Sequence, residues 1–388
     1  MKIVFLSFSD HIGGASMAAH SIFKSLKLKK SVFLTVHSKF KHSIEIYNIF
    51  KKIYIYNLRI IEKFLIFLFN KKKYHQSLNI FNTFTKKKIS NFFPDIINIH
   101  WVNRSMISLK ELNSFKEKIL ISLHDMWFIN STEHYFEGRV HQDSLIEKYC
   151  WEQKKQFLYK KNVYFVAHNK WMFNKFLKMH PSLKKKIFIS KYYPIDTKVF
   201  KPKNKAYLRK KYNIPLKKKI ILFSAQDIGD ERKGFSYFKK IIKNLSKDKK
   251  FYFISVGKSN PNLENLKNYQ HINFLGNKKT SDIYSLSDIY ICTSLIDNLP
   301  LTILEALSSG NLVISFKNGG SEEVLKKIGY TFKLREVKKM IKFIENLDNK
   351  IIKKKSKLAR KFAIKNLSFK NTRKQYLNIF QKIYNEKI

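Results

Sequence analysis

The chain has 388 residues, with 77 lysine and arginine side chains against 28 aspartate and glutamate side chains, so its formal net charge is +49 at pH 7. Because 44% of the residues are hydrophobic and 15% are aromatic, the composition excludes an intrinsically disordered chain, and the length suffices for two domains with separate cores. The positive charge indicates either polyanionic partners (anionic lipid surfaces, nucleic acid or phosphorylated substrates) or a lysine bias that the surface tolerates.

Cysteine usage and hydrophobic segments bear on the compartment. Cys150 and Cys292 are the two cysteines, and they can build neither a disulfide framework nor a paired-cysteine zinc site, which favours a reducing cytoplasm. The apolar run at residues 3–8 is too short for the core of a signal peptide. We therefore expect a cytoplasmic protein, either soluble or bound peripherally to the inner face of the cell membrane.

The first half of the chain alternates predicted strands and helices. A strand at residues 3–8, a turn with Gly13 and Gly14 and a helical pattern at residues 17–26 open a doubly wound α/β domain. A helical region bracketed by lysines lies between residues 51 and 88. Its apolar part, residues 60–69, is interrupted by Glu62 and Lys63 and is too short to span a membrane. It lies either in a membrane interface or in the core of the first domain. Further strands are predicted at residues 32–36, 96–100, 119–123, 163–167 and 187–190.

A second alternation follows a basic, polar segment at residues 198–219, which we interpret as a linker. Helices are predicted at residues 235–245 and 300–309, and strands at 220–224, 251–256, 271–275, 289–293 and 312–316. The resulting fold class is α/β, with two Rossmann-like, doubly wound parallel-sheet domains that face a central cleft. The predicted domains are residues 1–197, residues 198–367 and a C-terminal amphipathic helix, residues 368–388, that returns to the first domain.

The stretch from Asp297 to Gly310 is the most informative part of the sequence. Pro300 suits the first position of a helix and Gly310 the residue just past its end, so Asp297 precedes a short helix and Glu305 lies just over one turn inside it. The first turn of this helix, which includes Leu301 and Thr302, has backbone N–H groups without acceptors in the helix, and these groups form a site for an anion. A phosphate there would have a carboxylate on either side to accept sugar hydroxyls. The alternative is a surface loop followed by a glutamate on a helix face.

Three further groups of residues are candidates for the site. Arg232 and Lys233 follow a predicted strand, where they could clamp a diphosphate or form a solvated basic turn. His124 also follows a strand and could hydrogen-bond a substrate hydroxyl or be structural. Gly13 and Gly14 would let the backbone approach an anion, but they do not form a G-x-G-x-x-G fingerprint, so no nicotinamide or flavin is expected. No Asp-x-Asp occurs, so no metal-binding carboxylate pair is indicated.

This combination resembles the retaining glycosyltransferases of family 4, which have the two-domain GT-B fold. The strongest element is the Glu-x7-Glu signature, which reads Asp297-x7-Glu305 here and is followed by Gly319-Gly320. The branch with the greatest similarity comprises enzymes of surface-polysaccharide synthesis like the colanic-acid transferases. The similarity to that branch lies in residues 98–103, 124–127 and 225–235.

The resemblance implies a hexosyltransferase that moves a sugar from a nucleotide-diphosphate donor onto a glycan or lipid-linked acceptor of lipopolysaccharide, capsule or exopolysaccharide. It implies that Glu305 accepts ribose hydroxyls, that Asp297 contacts the donor sugar and that Lys233, with Arg232, neutralises the diphosphate. It further implies that Gly13 and Gly14 approach this diphosphate, that His124 contacts the donor sugar or acceptor, and that neither a metal nor a cofactor is needed.

Two departures from the family pattern and two alternatives remain. Asp297 replaces the usual glutamate, and Arg232 adjoins Lys233 where relatives have a different spacing. An anionic membrane surface is a further candidate partner. The alternatives are a basic nucleic-acid-binding protein, for which no binding module is visible, and another GT-B activity such as an epimerase or phosphorylase.

Overall fold

A computed structural model describes residues 1–69, 75–136, 142–259, 263, 265–273 and 276–386. The chain divides into a first unit, Met1–Lys191 with Thr372–Ile388, and a second unit, Tyr192–Asn371. Each unit is built on one sheet, and the described strand pairs in both sheets are parallel.

The strands are short and mostly apolar on both faces, as is usual for parallel sheets covered by helices. In the first unit they are β1 (Ile3–Leu6), β2 (Val32–Thr35), β3 (Ser43–Glu45), β4 (Ile96–Ile99), β5 (Lys118–Ser122), β6 (Val163–Ala167) and β7 (Ile187–Ile189). In the second unit they are β8 (Lys219–Asp227), β9 (Phe251–Lys258), β10 (Tyr269–Asn273), β11 (Ile289–Cys292), β12 (Leu312–Phe316) and β13 (Tyr330–Phe332). Among the described residues, the sheet orders are β3-β2-β1-β4-β5-β6-β7 and β10-β9-β8-β11-β12-β13.

Helices connect most of the successive strands. Those up to the end of β7 are α1 (Gly14–Leu26), α2 (Ile49–Phe69), α3 (Thr85–Ser90), α4 (Leu109–Asn113), α5 (Leu145–Leu158) and α6 (Lys170–Met179). Those after it are α7 (Lys205–Lys211), α8 (Phe235–Leu245), α9 (Asn277–Leu286), α10 (Leu301–Ser308), α11 (Ser321–Leu325), α12 (Val337–Glu345), α13 (Asn349–Asn366) and α14 (Phe369–Asn385). The expected α/β architecture with two doubly wound parallel sheets is confirmed.

Most predicted strands are found within a few residues of their predicted bounds. The strand expected at 271–275 is β10, which begins earlier, while residues 274 and 275 lie outside the described part of the chain. Two strands, β3 and β13, were not predicted, because each has three residues and lies at the edge of its sheet. The segment predicted as helical between residues 51 and 88 contains all but the first two residues of α2 and the start of α3, and its residues 70–74 are not described.

The C-terminal helix α14 lies in the first unit from Thr372 onward. Tyr376 on this helix places its hydroxyl 3.2 Å from Ser122 Oγ at the end of β5. Phe380, one turn further on, packs edge-to-face against Phe5 of β1, with ring centroids 6.0 Å apart. The side chains of Tyr376 and Phe380 are both fully buried, so α14 completes the core of the first unit.

The interpretation of residues 198–219 as a linker is wrong. The segment contains α7 and the start of β8, and it lies within the second unit. Arg209 is buried, and its guanidinium donates to Asp288 Oδ2 at 2.7 Å and to the Leu286 carbonyl at 3.1 Å. Basic composition indicated a solvated segment, but the carboxylate that holds this arginine is far away in the sequence.

The alternative that residues 60–69 are buried in the core of the first domain is also wrong. In this stretch of α2 only Glu62 is buried, whereas Ile60, Ile61, Phe64 and Phe67 are exposed.

Candidate active site

Two loops that follow neighbouring central strands bring the charged candidates of the second unit together. The strand order reverses between β8 and β11, and at such a switch point the carboxyl ends of the strands leave a crevice where ligands bind. The loop after β8 carries Arg232 and Lys233, and the loop after β11 carries Asp297. The two loops are joined by the backbone hydrogen bond from Leu295 N–H to the Arg232 carbonyl, at 2.8 Å.

Asp297, Arg232 and Lys233 form one ion-paired cluster. Lys233 Nζ donates to Asp297 Oδ2 at 2.6 Å, and Arg232 Nη1 donates to the same oxygen at 3.1 Å. Arg232 also donates through Nη2 to Asp230 Oδ2 at 3.1 Å. Burial of Asp297 opposes its ionisation, but the charges of Lys233 and Arg232 outweigh burial and hold its pKa below the usual value. The cluster therefore holds an ionised aspartate with two cations on one oxygen.

Two glycines allow the loops around this cluster to pack tightly. Gly234 has φ +70°, and a Cβ there would lie 2.0 Å from the Thr293 carbonyl oxygen. Gly319 has φ +76°, and a Cβ there would lie 1.9 Å from the Asp297 carbonyl oxygen. Because no side chain fits at either position, glycine is required next to Lys233 and next to Asp297.

Helix α10 follows Asp297 and has the predicted stop signal. Gly310 has φ +78° just past the helix end. Its N–H bonds the Leu307 carbonyl at 3.1 Å, and Asn311 N–H bonds the Ala306 carbonyl at 2.9 Å, the pattern of a Schellman motif. The prediction for Pro300 is off by one position, since Pro300 is the N-cap residue, with ψ 121°, and Leu301 is the first helical residue.

The start of α10 has the character expected of an anion site. Pro300 supplies no side-chain cap, and the first turn contains no acidic residue. The N–H groups of Leu301 and Thr302 fall in the part of a helix where backbone donors lack intrahelical acceptors, and both side chains are partly exposed. The helix dipole adds a partial positive charge at this end.

Glu305 is buried on α10, and its environment is apolar compared with that of Asp297. Burial raises the pKa of Glu305 from an ordinary 4.5 to about 7, although the neighbouring Tyr284 hydroxyl acts in the opposite direction. Tyr290, in β11, is fully buried and donates to the Ser224 carbonyl at 3.2 Å. Burial raises its pKa well above the usual value, and the charges of Glu305 and Asp297 act in the same sense, so this phenol lies near both carboxylates. The buried carboxylate of Asp297 is thus ionised, while that of Glu305 takes up a proton near neutral pH.

The remaining predicted site residues belong to the first unit. Gly13 has φ +89° and is the N-cap residue of α1, and Gly14 is the first residue of that helix and is exposed. The turn before them is held by Asp10, which accepts hydrogen bonds from the backbone N–H groups of Lys39 and Phe40 at 3.0 Å each. The glycine turn therefore lies at the carboxyl end of β1, as expected, with an open helix start.

His124 lies at the carboxyl end of β5 in a row of buried imidazoles. Its Nε2 is 2.8 Å from His100 Nδ1, and its ring stacks on His168 with centroids 5.6 Å apart. Burial, reinforced by its histidine neighbours, lowers the pKa of His124 well below the usual value. The imidazole is therefore neutral at physiological pH, a state that can exchange hydrogen bonds with a hydroxyl but carries no positive charge.

A hydrogen-bonded network beside His124 was not anticipated. His134 Nδ1 lies 2.6 Å from Asp125 Oδ2, and its Nε2 lies 2.9 Å from Ser77 Oγ. Lys154 is fully buried and donates to three carbonyls of the same loop, those of Trp127 (2.6 Å), Asn130 (3.0 Å) and Ser131 (2.9 Å). Ser77 and His134 are themselves buried, so the arrangement holds the loop against the sheet. The polar residues after the Met-Trp pair were the available sequence signal for this network, but the residues that they contact are remote in the sequence.

Within the described ranges, no group of three or more histidine, cysteine, aspartate or glutamate side chains is arranged to hold a metal ion. In the same ranges, Cys150 and Cys292 are both free and buried.

A comparison with protein families identifies part of the chain. Residues 218–349 match the family described as "Glycosyl transferases group 1". The second unit contains a glycosyltransferase domain. The matched range includes Arg232, Lys233, Asp297, Leu301, Thr302 and Glu305. No curated protein sequence matches the chain significantly.

Solved structures resemble the chain at low sequence identity. Sucrose-phosphate synthase from Thermosynechococcus elongatus is 13% identical with a TM-score of 0.72, and the match covers 99% of each chain. Anabaena Alr3699/HepE in complex with UDP-glucose is 14% identical with a TM-score of 0.69, and the match covers 98% of this chain and 100% of that one. WaaG, a glycosyltransferase involved in lipopolysaccharide biosynthesis, is 10% identical with a TM-score of 0.66, covering 97% and 99%.

These similarities confirm two expectations. The fold is that of GT-B glycosyltransferases, and the protein is a glycosyltransferase.

Proposed function

We propose that this protein is a retaining glycosyltransferase of family 4 that transfers a hexose from a nucleotide-diphosphate sugar to a growing, lipid-linked surface glycan. The observation that carries the proposal is the ion-paired cluster of Asp297, Lys233 and Arg232, placed beside the open start of α10 at the switch point of the second sheet.

Lys233 and Arg232 are assigned to the diphosphate of the donor. A lysine ammonium has three N–H donors, and the bond to Asp297 uses one of them, so Lys233 can bind phosphate oxygens while it remains paired. The N–H groups of Leu301 and Thr302 add backbone donors of the kind that bind phosphate at helix starts. Stabilising the departing diphosphate is the way in which such groups lower the barrier to transfer.

The two carboxylates are assigned to the rings of the donor. Glu305, one turn into α10, accepts ribose hydroxyls, and Asp297 contacts hydroxyls of the transferred sugar while it holds the two cations. The bond between the anomeric carbon and the diphosphate breaks, and a bond to the acceptor oxygen forms on the same face of the sugar. The leaving phosphate takes the acceptor proton. No metal or cofactor is assigned to this step.

Two assignments rest on the family resemblance alone. They are the approach of Gly13 and Gly14 to the diphosphate and the contact of His124 with the sugar or acceptor. The similarity to surface-polysaccharide enzymes supports a glycan acceptor in lipopolysaccharide, capsule or exopolysaccharide synthesis, at the cytoplasmic face of the membrane. HepE was solved with UDP-glucose and WaaG functions in lipopolysaccharide synthesis, which supports this substrate class.

Calorimetric titration with UDP, GDP and ADP tests the proposal and identifies the nucleotide. We expect one nucleotide to bind, and Lys233→Ala to weaken its binding by about tenfold to a hundredfold, since a hydrogen bond to a charged group contributes roughly 1.5–3 kcal/mol. Lys240→Ala is the matched control, because Lys240 is an exposed lysine of α8 that also belongs to the second unit. Unchanged affinity in Lys233→Ala, or a loss of the same size in Lys240→Ala, would contradict the assigned role.

A further inference from the structure

Helix α2 of the first unit exposes an unusual amount of apolar surface. Among its 21 residues, those with large apolar side chains that are exposed are Ile49, Phe50, Ile53, Tyr54, Tyr56, Ile60, Ile61, Phe64, Phe67, Leu68 and Phe69. Phe67 retains 75% of its accessible surface and Phe64 59%. A contiguous exposed apolar face of this kind indicates an interaction surface, because soluble monomers rarely expose one.

A narrow stripe attaches α2 to the rest of the first unit. The buried residues of the helix are Ile55, Leu58 and Glu62, which are spaced by three and four positions and so lie on one side. The Arg59 guanidinium lies 5.7 Å from the ring centre of Phe8, which follows β1. The opposite side, with Ile53, Ile60 and Phe64, therefore points away from the unit.

Basic side chains border the apolar face. Lys52, Arg59 and Lys63 are separated by seven and four positions, so they lie in one row along the helix. The row lies between the buried stripe and the exposed apolar residues. Such an arrangement is typical of helices that lie in a membrane interface, where the apolar side enters the acyl region and the cations meet headgroups.

The charge of the chain indicates which partner covers this face. A second copy would bring together two chains of formal charge +49, which repel each other. An anionic bilayer provides both an apolar interior for the isoleucine and phenylalanine side chains and a negative surface for the lysines. Among the described residues no helix is long and apolar enough to cross a membrane, so α2 would lie along the surface.

We infer that α2 is a membrane-docking helix that binds the surface of a bilayer containing anionic lipids through its outward apolar face and the row Lys52, Arg59 and Lys63. This inference does not depend on the identity of the donor or of the acceptor.

Flotation of the full chain with phosphatidylcholine vesicles, with or without phosphatidylglycerol, tests the inference. We expect binding to the anionic vesicles, weakened at about 0.5 M NaCl because salt screens the attraction to headgroups. The double variant Phe64→Ala/Phe67→Ala should bind at least about tenfold more weakly, since each phenylalanine loses apolar burial while alanine preserves the helix. Phe93→Ala is the matched control, because Phe93 is 82% exposed but lies outside α2, between α3 and β4.

Each outcome bears on the inference directly. The inference is supported if the double variant binds weakly while Phe93→Ala binds like the wild type. The circular dichroism of both variants should then equal that of the wild type. Equal binding by the double variant and the wild type overturns the inference, as does equal binding to neutral and anionic vesicles. If the wild type dimerises without lipid and the double variant does not, α2 is a self-association surface and the inference is wrong.

Discussion

The buried Glu305 leads to a prediction about the pH dependence of stability. Its pKa is about 7 in the folded chain against an ordinary 4.5, so between these pH values the unfolded chain has released a proton that the folded chain still holds. The free energy of unfolding therefore falls as the pH rises from about 4.5 to about 7, and it is constant above that range as far as this group is concerned. Glu305→Gln removes this titration.

The size of the effect follows from the two pKa values. A difference between 4.5 and about 7 corresponds to roughly 3 kcal/mol, since a tenfold change in proton affinity is worth about 1.4 kcal/mol. Glu305→Gln should therefore be more stable than the wild type at pH 8 by up to about 3 kcal/mol, and of similar stability at pH 4.5. The same variant should lose most transfer activity if Glu305 accepts the ribose hydroxyls.

The assay must report on the second unit alone. The four tryptophans, Trp101, Trp127, Trp151 and Trp171, all lie in the first unit, so their fluorescence does not follow the unfolding of β11 or β12. Burial also raises the pKa of Glu62 to about 7 in the first unit, so a global probe would superimpose two titrations. Hydrogen exchange of backbone amides in β11 and β12, followed by mass spectrometry at pH 4.5, 6 and 8 and corrected for intrinsic rates, isolates the effect.

The control is Glu322→Gln, which changes an exposed glutamate of α11 that pairs with Lys317 at 2.6 Å. Its effect should stay within about 0.5 kcal/mol at each pH. The explanation by burial is wrong if the stability of Glu305→Gln relative to the wild type does not increase between pH 4.5 and pH 8. It is also wrong if the relative stability of Glu322→Gln increases by as much.

Two further predictions concern the cluster and its glycines. Asp297→Asn should lower stability at pH 7 by roughly 1.5–3 kcal/mol because it weakens two charge-assisted bonds. Since the pKa of Asp297 is lowered, this contribution exists above the pKa of the unfolded chain and is lost as the pH falls through the folded value, so exchange in β11 should show a smaller difference at pH 3. Gly319→Ala should destabilise the second unit by at least about 3 kcal/mol and abolish nucleotide binding, because a Cβ meets the Asp297 carbonyl at 1.9 Å and φ is positive. Gly276→Ala, where nothing lies within 4 Å, should behave like the wild type in thermal unfolding and calorimetry.

Much of the fold was predictable because its signals are local. Apolar runs such as those of β1, β6 and β12 are typical of strands buried on both faces, and the periodic pattern of α8 predicted its bounds correctly. Pro300 and Gly310 predicted a short helix, and the structure differs by one position at each end. The edge strands β3 and β13 were missed because three residues provide too little pattern.

The site was predictable in its parts but not in its arrangement. Arg232 and Lys233 stood out as residues after a strand and Asp297 as a residue before a short helix, yet the sequence did not indicate that both cations bind one carboxylate oxygen. Glu305 was expected to bind hydroxyls, but the sequence did not indicate that burial raises its pKa to about 7 against the opposing effect of the Tyr284 hydroxyl. His124 was singled out, but its contacts with His100 and His168 were not.

The sequence by itself determined the alternation of strands and helices and the positions of the charged loops, because hydrophobic periodicity and helix-end signals act over a few residues. Only the tertiary structure decided which charges pair, which carboxylate is protonated near neutral pH and which apolar helix stays uncovered. Those properties arise from desolvation and Coulomb interactions between groups that are distant in the chain and meet only when the sheets form.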